Sequence, residues 1–348
     1  MYDRLWKSVF GNDGIPSQHS KNPLFHCVIG PKPSSVSTAC RRYLPARENG
    51  RMNKYIIFGF DMETDIGSYL KSYRGVEEGT YLILNILERH GISATFFFTG
   101  DSARHNEKVV RDVAGKGYDV GCHSLKHETV GDAHFDMPAD SPILEEEVEH
   151  RLELNKRIVQ DLCGIEPVSF RAPRLWQGQA QLRALEKLGF LVDASYSVFA
   201  HKERLVPYHP SRNNWLEPGD MRILEIPNFA FDESSYNFDK FFCKNDQWPL
   251  LRLLGARFVF NRIGAVCRRQ AQFSEACVLL FYLHPWEFQP MPDKYVYSEG
   301  TMHFRPELYK NCGRKMGAEF EGFVQLTLED GYRFASCREF LSIWGNGR

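Results

Sequence analysis

The sequence predicts an α/β protein with a mainly parallel sheet, and three observations carry that prediction. Short β-branched and aromatic runs alternate with stretches of helical apolar spacing from Tyr55 to Ala194. Nearly every helical stretch stops at a glycine. Reactive side chains collect where the apolar runs end.

The first run, Tyr55-Ile56-Ile57-Phe58-Gly59-Phe60-Asp61-Met62-Glu63, reads as a buried strand that ends in two acids. Residues two apart on a strand share a face, so Asp61 and Glu63 point into the same space. Two such carboxylates are costly unless a metal, a cation or a proton satisfies them. A helix follows over Glu77 to Arg89, with Leu82, Ile83, Ile86 and Leu87 as its apolar set and His90-Gly91 as its stop. Ser93 to Thr99 is the second strand. Glu107 to Lys116 is a helix ended by Gly117, and Tyr118 to Cys122 the third strand. A longer helix, Leu144 to Leu162, stops at Gly164 before a fourth strand, Val168 to Phe170. Gln179 to Leu188 and Leu191 to Ala194 repeat the pattern. Strands separated by helices of this length make βαβ units, hence a parallel sheet, open or closed into a barrel.

The regularity weakens after this point. Residues 199–220, with Pro207, Pro210 and Pro218, read as a long loop. A strand over Arg222 to Ile226, a helix over Leu250 to Arg268 and a strongly apolar strand over Val278 to Tyr282 follow. A helix over Ala318 to Leu328, a strand around Tyr332 to Ala335 and a short helix close the chain. Residues 1–53 read as an N-terminal extension and 54–342 as the main domain, with an aromatic-rich insertion near 199–250. That insertion (Tyr208, Trp215, Phe229, Phe231, Tyr236, Phe238, Phe241, Phe242, Trp248) suits a cap over the mouth, a dimer interface or core.

Bulk properties exclude several classes. Of 348 residues, 43% are hydrophobic and 25% charged, with a formal net charge of −1. Without a basic block, nucleic acid is not an expected partner. Residues 1–25 are broken by Lys7, Asn12, Asp13, Pro16 and Ser17, so no signal-peptide core is expected. No run approaches the roughly 20 apolar residues that cross a bilayer. The nine cysteines stand singly, which fits a reducing compartment better than a disulfide framework. The cytoplasm is the expected location.

The chemistry-bearing residues sit at four strand ends. His123-Ser124-Leu125-Lys126-His127 leaves the third strand, and two histidines four apart on a helical turn can bridge one metal ion. Parallel α/β folds place their ligand site at that end. Phe170-Arg171-Ala172-Pro173-Arg174 puts an arginine where it can hold a catalytic carboxylate ionised. Leu283-His284 puts a histidine, able to act as a general acid, after a very apolar strand. Taken singly, each is as readily a solvated or structural group.

Taken together, FDME (60–63), HSLKH (123–127), FRAPR (170–174), DASY (193–196) and LHP (283–285) resemble, in order, the motifs of the polysaccharide deacetylase family, the NodB-homology or carbohydrate esterase family 4 type. The resemblance spans roughly residues 55–340. It implies a distorted (β/α) barrel of seven or eight mostly parallel strands with one divalent metal ion, most often zinc. Glu63, His123 and His127 would be the metal ligands and Asp61 the general base. Arg171 would orient Asp61, and His284 would protonate the leaving amine. Leu283 would line the acyl pocket, with Pro173, Arg174 and Trp286 beside the substrate. The chain departs from the family at Glu63, where Asp is usual, and glutamate is one methylene longer.

The implied activity is hydrolysis of an N-acyl group, N-acetyl first, on a sugar or a lipid- or nucleotide-linked glycan precursor in surface-polysaccharide, including lipopolysaccharide, biosynthesis. Hydrolysis of a small amide or cyclic ureide, and a non-catalytic sugar-binding protein on the same fold, remain as alternatives. A homo-oligomer is left open.

Overall fold

The computed structural model describes residues 52–133, 143–231 and 246–345. The N-terminal extension, save its last two residues, and Tyr236, Phe238, Phe241 and Phe242 of the insertion lie outside them.

Strand β1, Asn53–Met62, is the axis of the sheet and is buried along almost its whole length. It pairs in parallel with β7, Ala276–Leu283, from Asn53 opposite Ala276 to Phe60 opposite Leu283. Its other edge is shared. β10, Arg333–Phe334, takes Tyr55 and Ile56, while β2, Thr95–Phe98, takes Gly59 to Met62. From β2 the parallel order continues through β3 (Asp119–Cys122), β4 (Ser169–Phe170), β5 (Val192–Asp193) and β6 (Leu224–Glu225). The sheet thus curls into a half-barrel of the expected NodB-like kind. Asn228, just beyond β6, makes single parallel bridges to Ser197 and to Leu280 of β7. Across that seam the Gln247 amide donates to the Phe229 and Leu280 carbonyls (3.2 and 2.8 Å) and accepts from Tyr282 N (3.3 Å).

The two faces of β1 have separate tasks. Ile56, Phe58, Phe60 and Met62 pack outward under the helices, with Phe58 against Phe320 and Phe60 stacked on Phe96. Tyr55 and Ile57 face inward with Val278, Leu280, Ala194 and Leu224. The C-terminal helix Cys337–Gly345 adds Phe340 and Trp344 to this inner cluster. Asp61 continues that inner row. Ile56, Ile57, Phe58, Phe60 and Met62 are fully buried, and each contributes about 1.5–3 kcal/mol relative to exposure. That sum exceeds the several kcal/mol a buried carboxylate costs, so β1 can carry an acid at its end.

Several expectations are corrected. The helix expected over Leu250 to Arg268 breaks at Gly255 (φ 89, ψ 169) into Leu250–Leu254 and Ala256–Gln270. Glu319 accepts from Ala256 N at 2.8 Å, satisfying a first-turn donor of the second piece. An exposed antiparallel hairpin, β8 (Lys294–Tyr297) with β9 (Gly300–His303), stands between β7 and the helix Arg314–Glu329, where no strand was expected. Cys267 and Cys277 form a disulfide, against the expectation of lone thiols. Tyr208, Trp215, Phe229 and Phe231 are buried in the main core, so these members of the insertion are not a free cap. Among the described residues no helix is long and apolar enough to cross a membrane.

Candidate active site

The site is assembled at the C-terminal ends of β1, β3, β4 and β7. Arg171, fully buried, reaches across from β4 and donates from Nη1 to Asp61 Oδ1 at 2.8 Å. Its Nε donates to Ala194 O (3.2 Å) and its Nη2 to Phe281 O (3.3 Å), and its plane lies 4.5 Å from the Phe97 ring centre. Gly59 makes room for it, since a Cβ there would stand 2.4 Å from Nη2. A guanidinium that spends each face and edge in this way is a fixed counter-charge for Asp61.

Glu63, His123 and His127 bring one oxygen and two nitrogens within 4.8 Å of one another, all buried or nearly so. His123 Nδ1 lies 2.8 Å from the Arg171 carbonyl. A carbonyl only accepts, so that nitrogen carries the proton and Nε2 presents its lone pair. This Nε2 is 3.7 Å from Glu63 Oε2, and His127 Nε2 touches the same oxygen. Yet Oε2 has no well-directed hydrogen bond. Burial raises the Glu63 pKa, but the close imidazoles of His127 and His123 and the charge of His284 outweigh it and hold the carboxyl well below its usual range. Burial pushes His127 down, against the pull of Glu63, and so favours its neutral form. An ionised carboxylate and two imidazoles aimed at one point are the donor set of a divalent cation.

The two histidines do not share a helical turn. Ser124 and His127 both have φ of 61°, and the segment is a tight loop. Glu128, which the sequence reading passed over, folds back and accepts from Leu125 N (3.2 Å), Lys126 N (2.6 Å) and Ser124 Oγ (3.1 Å). It takes the place of a helix's own hydrogen bonds, and a short acid after HxxxH was the only available signal.

His284 stands across the site, its Nε2 4.0 Å from Asp61 Oδ2 and 3.9 Å from Glu63 Oε1. Its Nδ1 faces Glu287 Oε1 at 3.2 Å, and Glu287 Oε2 accepts from Arg252 Nε at 2.9 Å. Arg252 and Glu287 are 1% exposed each, and neither was anticipated. Glu287 is three residues after His284 on a short turn, which hindsight makes legible. Arg252 is remote in sequence and carried no signal. Burial alone lowers the His284 pKa, but the Glu287 hydrogen bond and the charges of Glu63, Glu287 and Asp61 more than reverse this and raise it.

The expected substrate-side residues divide. Leu283 is buried at the end of β7, and Pro173 is buried after β4. Arg174 is partly exposed. Trp286 is 1% exposed and stacks on His284 at 5.3 Å, with Arg252 on it at 5.7 Å. It therefore packs on the imidazole. Gly75 allows this packing, because a Cβ there would come within 2.3 Å of Trp286 Cα.

A parallel half-barrel with carboxylates and histidines converging at its strand ends defines an α/β fold with a metal-competent centre. Residues 52–192 match the family profile described as polysaccharide deacetylase. Among curated relatives, a peptidoglycan-N-acetylglucosamine deacetylase of Bacillus cereus is 26% identical over 186 residues, 52% of this chain and 62% of that one. The chain spans about half the length of the first curated relatives it matches. A Mycobacterium smegmatis structure titled as a polysaccharide deacetylase superposes with TM-score 0.56 at 15% identity, covering 86% of this chain and 92% of the other. The PuuE allantoinase structure also gives 0.56, at 14% identity, with 87% and 94% covered. At these identities the two structures speak for the fold alone.

Proposed function

We propose that this chain is a metal-dependent hydrolase that removes an N-acyl group, N-acetyl first, from a sugar or sugar-containing precursor. One observation carries the proposal. Glu63 Oε2, which has no well-directed hydrogen bond, and the imidazole nitrogens of His123 and His127 converge beside a carboxylate, Asp61, one oxygen of which is held by a buried arginine.

Glu63, His123 and His127 would hold one divalent ion, zinc by their donor types. Such an ion supplies Lewis-acid polarisation of the acyl oxygen and acidifies water. Asp61 is the general base. Arg171 fixes Oδ1, leaving Oδ2 to take a proton from water. His284 is the general acid. Glu287 accepts from its Nδ1 and so directs the Nε2 proton toward the site, where it passes to the departing nitrogen. Free amine and a short carboxylic acid result. Leu283 borders the acyl group, and Trp286 holds the His284 ring.

The same proposal includes a lipid- or nucleotide-linked glycan precursor, in surface-polysaccharide biosynthesis, as the substrate. The disulfide between Cys267 and Cys277 weighs against the reducing cytoplasm as its place of action, and a thiol count on protein taken directly from cells decides the point. Metal analysis of the purified protein, followed by acetate release from N-acetylated sugars, tests the activity. One metal per chain and sugar-dependent release are expected. A metal-free protein without release would leave a sugar-binding module, and release only from small amides would overturn the sugar assignment.

A further inference from the structure

We infer that Arg174 selects substrates that carry an anionic group, a carboxylate or a phosphate, close to the acylated nitrogen. The inference rests on the hydrolase reading for its substrate and on the loop around Arg174 for its chemistry.

Arg174 (φ 56, ψ 13) and Leu175 (φ 58) are consecutive non-glycine residues in the left-handed region. Single residues of this kind are uncommon, and they persist where the surroundings impose them. Here the surroundings are visible. Ala172 N donates to Ser195 Oγ at 2.8 Å, Leu175 N to Ala172 O at 3.0 Å and Trp176 N to Pro173 O at 3.1 Å. Gln177 Nε2 then ties the loop to Asp193 at 3.0 Å and to Glu225 beneath it. The fixed backbone buries Pro173 and Leu175 and leaves Arg174 between them partly exposed.

The guanidinium lies 5.7 Å from the Trp176 ring centre. It rises from the same loop as Arg171, three residues away, whose side chain holds Asp61 in the metal-competent centre. Arg171 is paired with Asp61, Arg252 with Glu287 and Arg305 with Glu307. Among the described residues no carboxylate pairs with Arg174. A cation held by a strained loop beside a reaction centre, with its fork unspent, matches the planar oxygens of a carboxylate or phosphate.

The test compares three acetylated sugars: neutral N-acetylglucosamine oligomers, N-acetylmuramic acid and N-acetylglucosamine 1-phosphate. Arg174→Gly suits the left-handed backbone while removing the charge, and Arg174→Lys restores it without the fork. In Arg174→Gly the ratio of kcat/KM for the anionic over the neutral sugar should fall about 10- to 100-fold, the change lying in KM. Arg174→Lys should recover part of it. A response confined to the carboxylate or to the phosphate names which anion is read. An unchanged ratio, or equal losses on all three sugars, overturns the inference. Calorimetric titration with glucosamine, muramic acid and glucosamine 1-phosphate reads the same preference without turnover. If no sugar is deacetylated, the hydrolase reading fails while this titration still decides the anion site. Equal affinities there would sink it.

Discussion

The two ends of the sheet both bury carboxylates, and they do so in opposite ways. At the N-terminal end, Asp119 at the start of β3 accepts from Thr95 Oγ1 (3.1 Å), Ser169 Oγ (2.8 Å), Arg338 Nε (3.1 Å) and Arg338 N (3.3 Å). Both oxygens are answered, and the cluster fastens the C-terminal helix under the half-barrel. At the C-terminal end, Glu63 Oε2 is buried without a directed donor and faces two imidazoles. Burial of charge is common to both ends, so burial does not mark the site. The unspent donor set marks it, because an unanswered buried carboxylate is tolerated only where something else is meant to answer it.

The largest test of that contrast exchanges the two ends. His123→Ala or His127→Ala should lose most of the bound metal with the fold intact, read by elemental analysis beside circular dichroism. Asp119→Ala should do the reverse, keeping the metal and losing stability on the order of 1–3 kcal/mol through its orphaned donors. Normal metal in both histidine variants would break the distinction.

Within the site, Asp61→Asn should retain metal and lose roughly 10²- to 10⁴-fold in rate, since an amide takes no proton from water. Glu63→Gln should weaken metal binding, with activity partly restored at high metal concentration. Opposite behaviour would exchange the two roles. His284→Ala should lose a comparable factor on amides, about 10²- to 10⁴-fold, but far less on an activated aryl ester that needs no proton at its leaving group.

Glu287→Gln sharpens the assignment at smaller cost, roughly 10-fold. Glu287 helps raise the His284 pKa. A raised histidine stays protonated to higher pH, so removing this charge should move the alkaline limb of the rate profile to lower pH. An unmoved limb would assign that limb to another group.

The smallest effect concerns a second acid pair, behind the Arg174 loop. Asp193 and Glu225 sit opposite each other in register and share the Gln177 amide. Burial pushes Asp193 up to about 6, and burial with the Asp193 charge pushes Glu225 well above its usual range. Folding therefore favours the protonated pair. Its contribution is complete below the ordinary carboxylate range near 4 and fades as pH rises through about 6. Asp193→Asn should flatten the fall of melting temperature between those limits, and an unchanged slope would place the proton elsewhere.

Local patterns reached far along the chain. Apolar runs bounded by glycine marked the strands because a buried parallel strand admits little else, and β1 to β5 fall where those runs fall. The alternation of β1 placed Asp61 on one face with Ile57 and Tyr55, and the structure has Tyr55 and Ile57 on the inner face. The two-helix break at Gly255 was written in the sequence but masked by apolar neighbours. The exposed hairpin has apolar and aromatic residues facing water (Tyr295, Val296, Tyr297), which no burial pattern announces.

By itself, then, the sequence determined the alternation of strands and helices and the reactive groups at their ends, since period and turn chemistry are local. The tertiary structure decided how those groups are satisfied. Arg171 meets Asp61 across 110 residues, and Arg252 meets Glu287 across 35. Cys267 meets Cys277 because the helix Ala256–Gln270 returns its end to the start of β7. Partners of this kind are chosen by the closing of the sheet and not by spacing along the chain. A buried charge is answered by whichever group the fold brings within about 3 Å, and only the folded chain sets that distance.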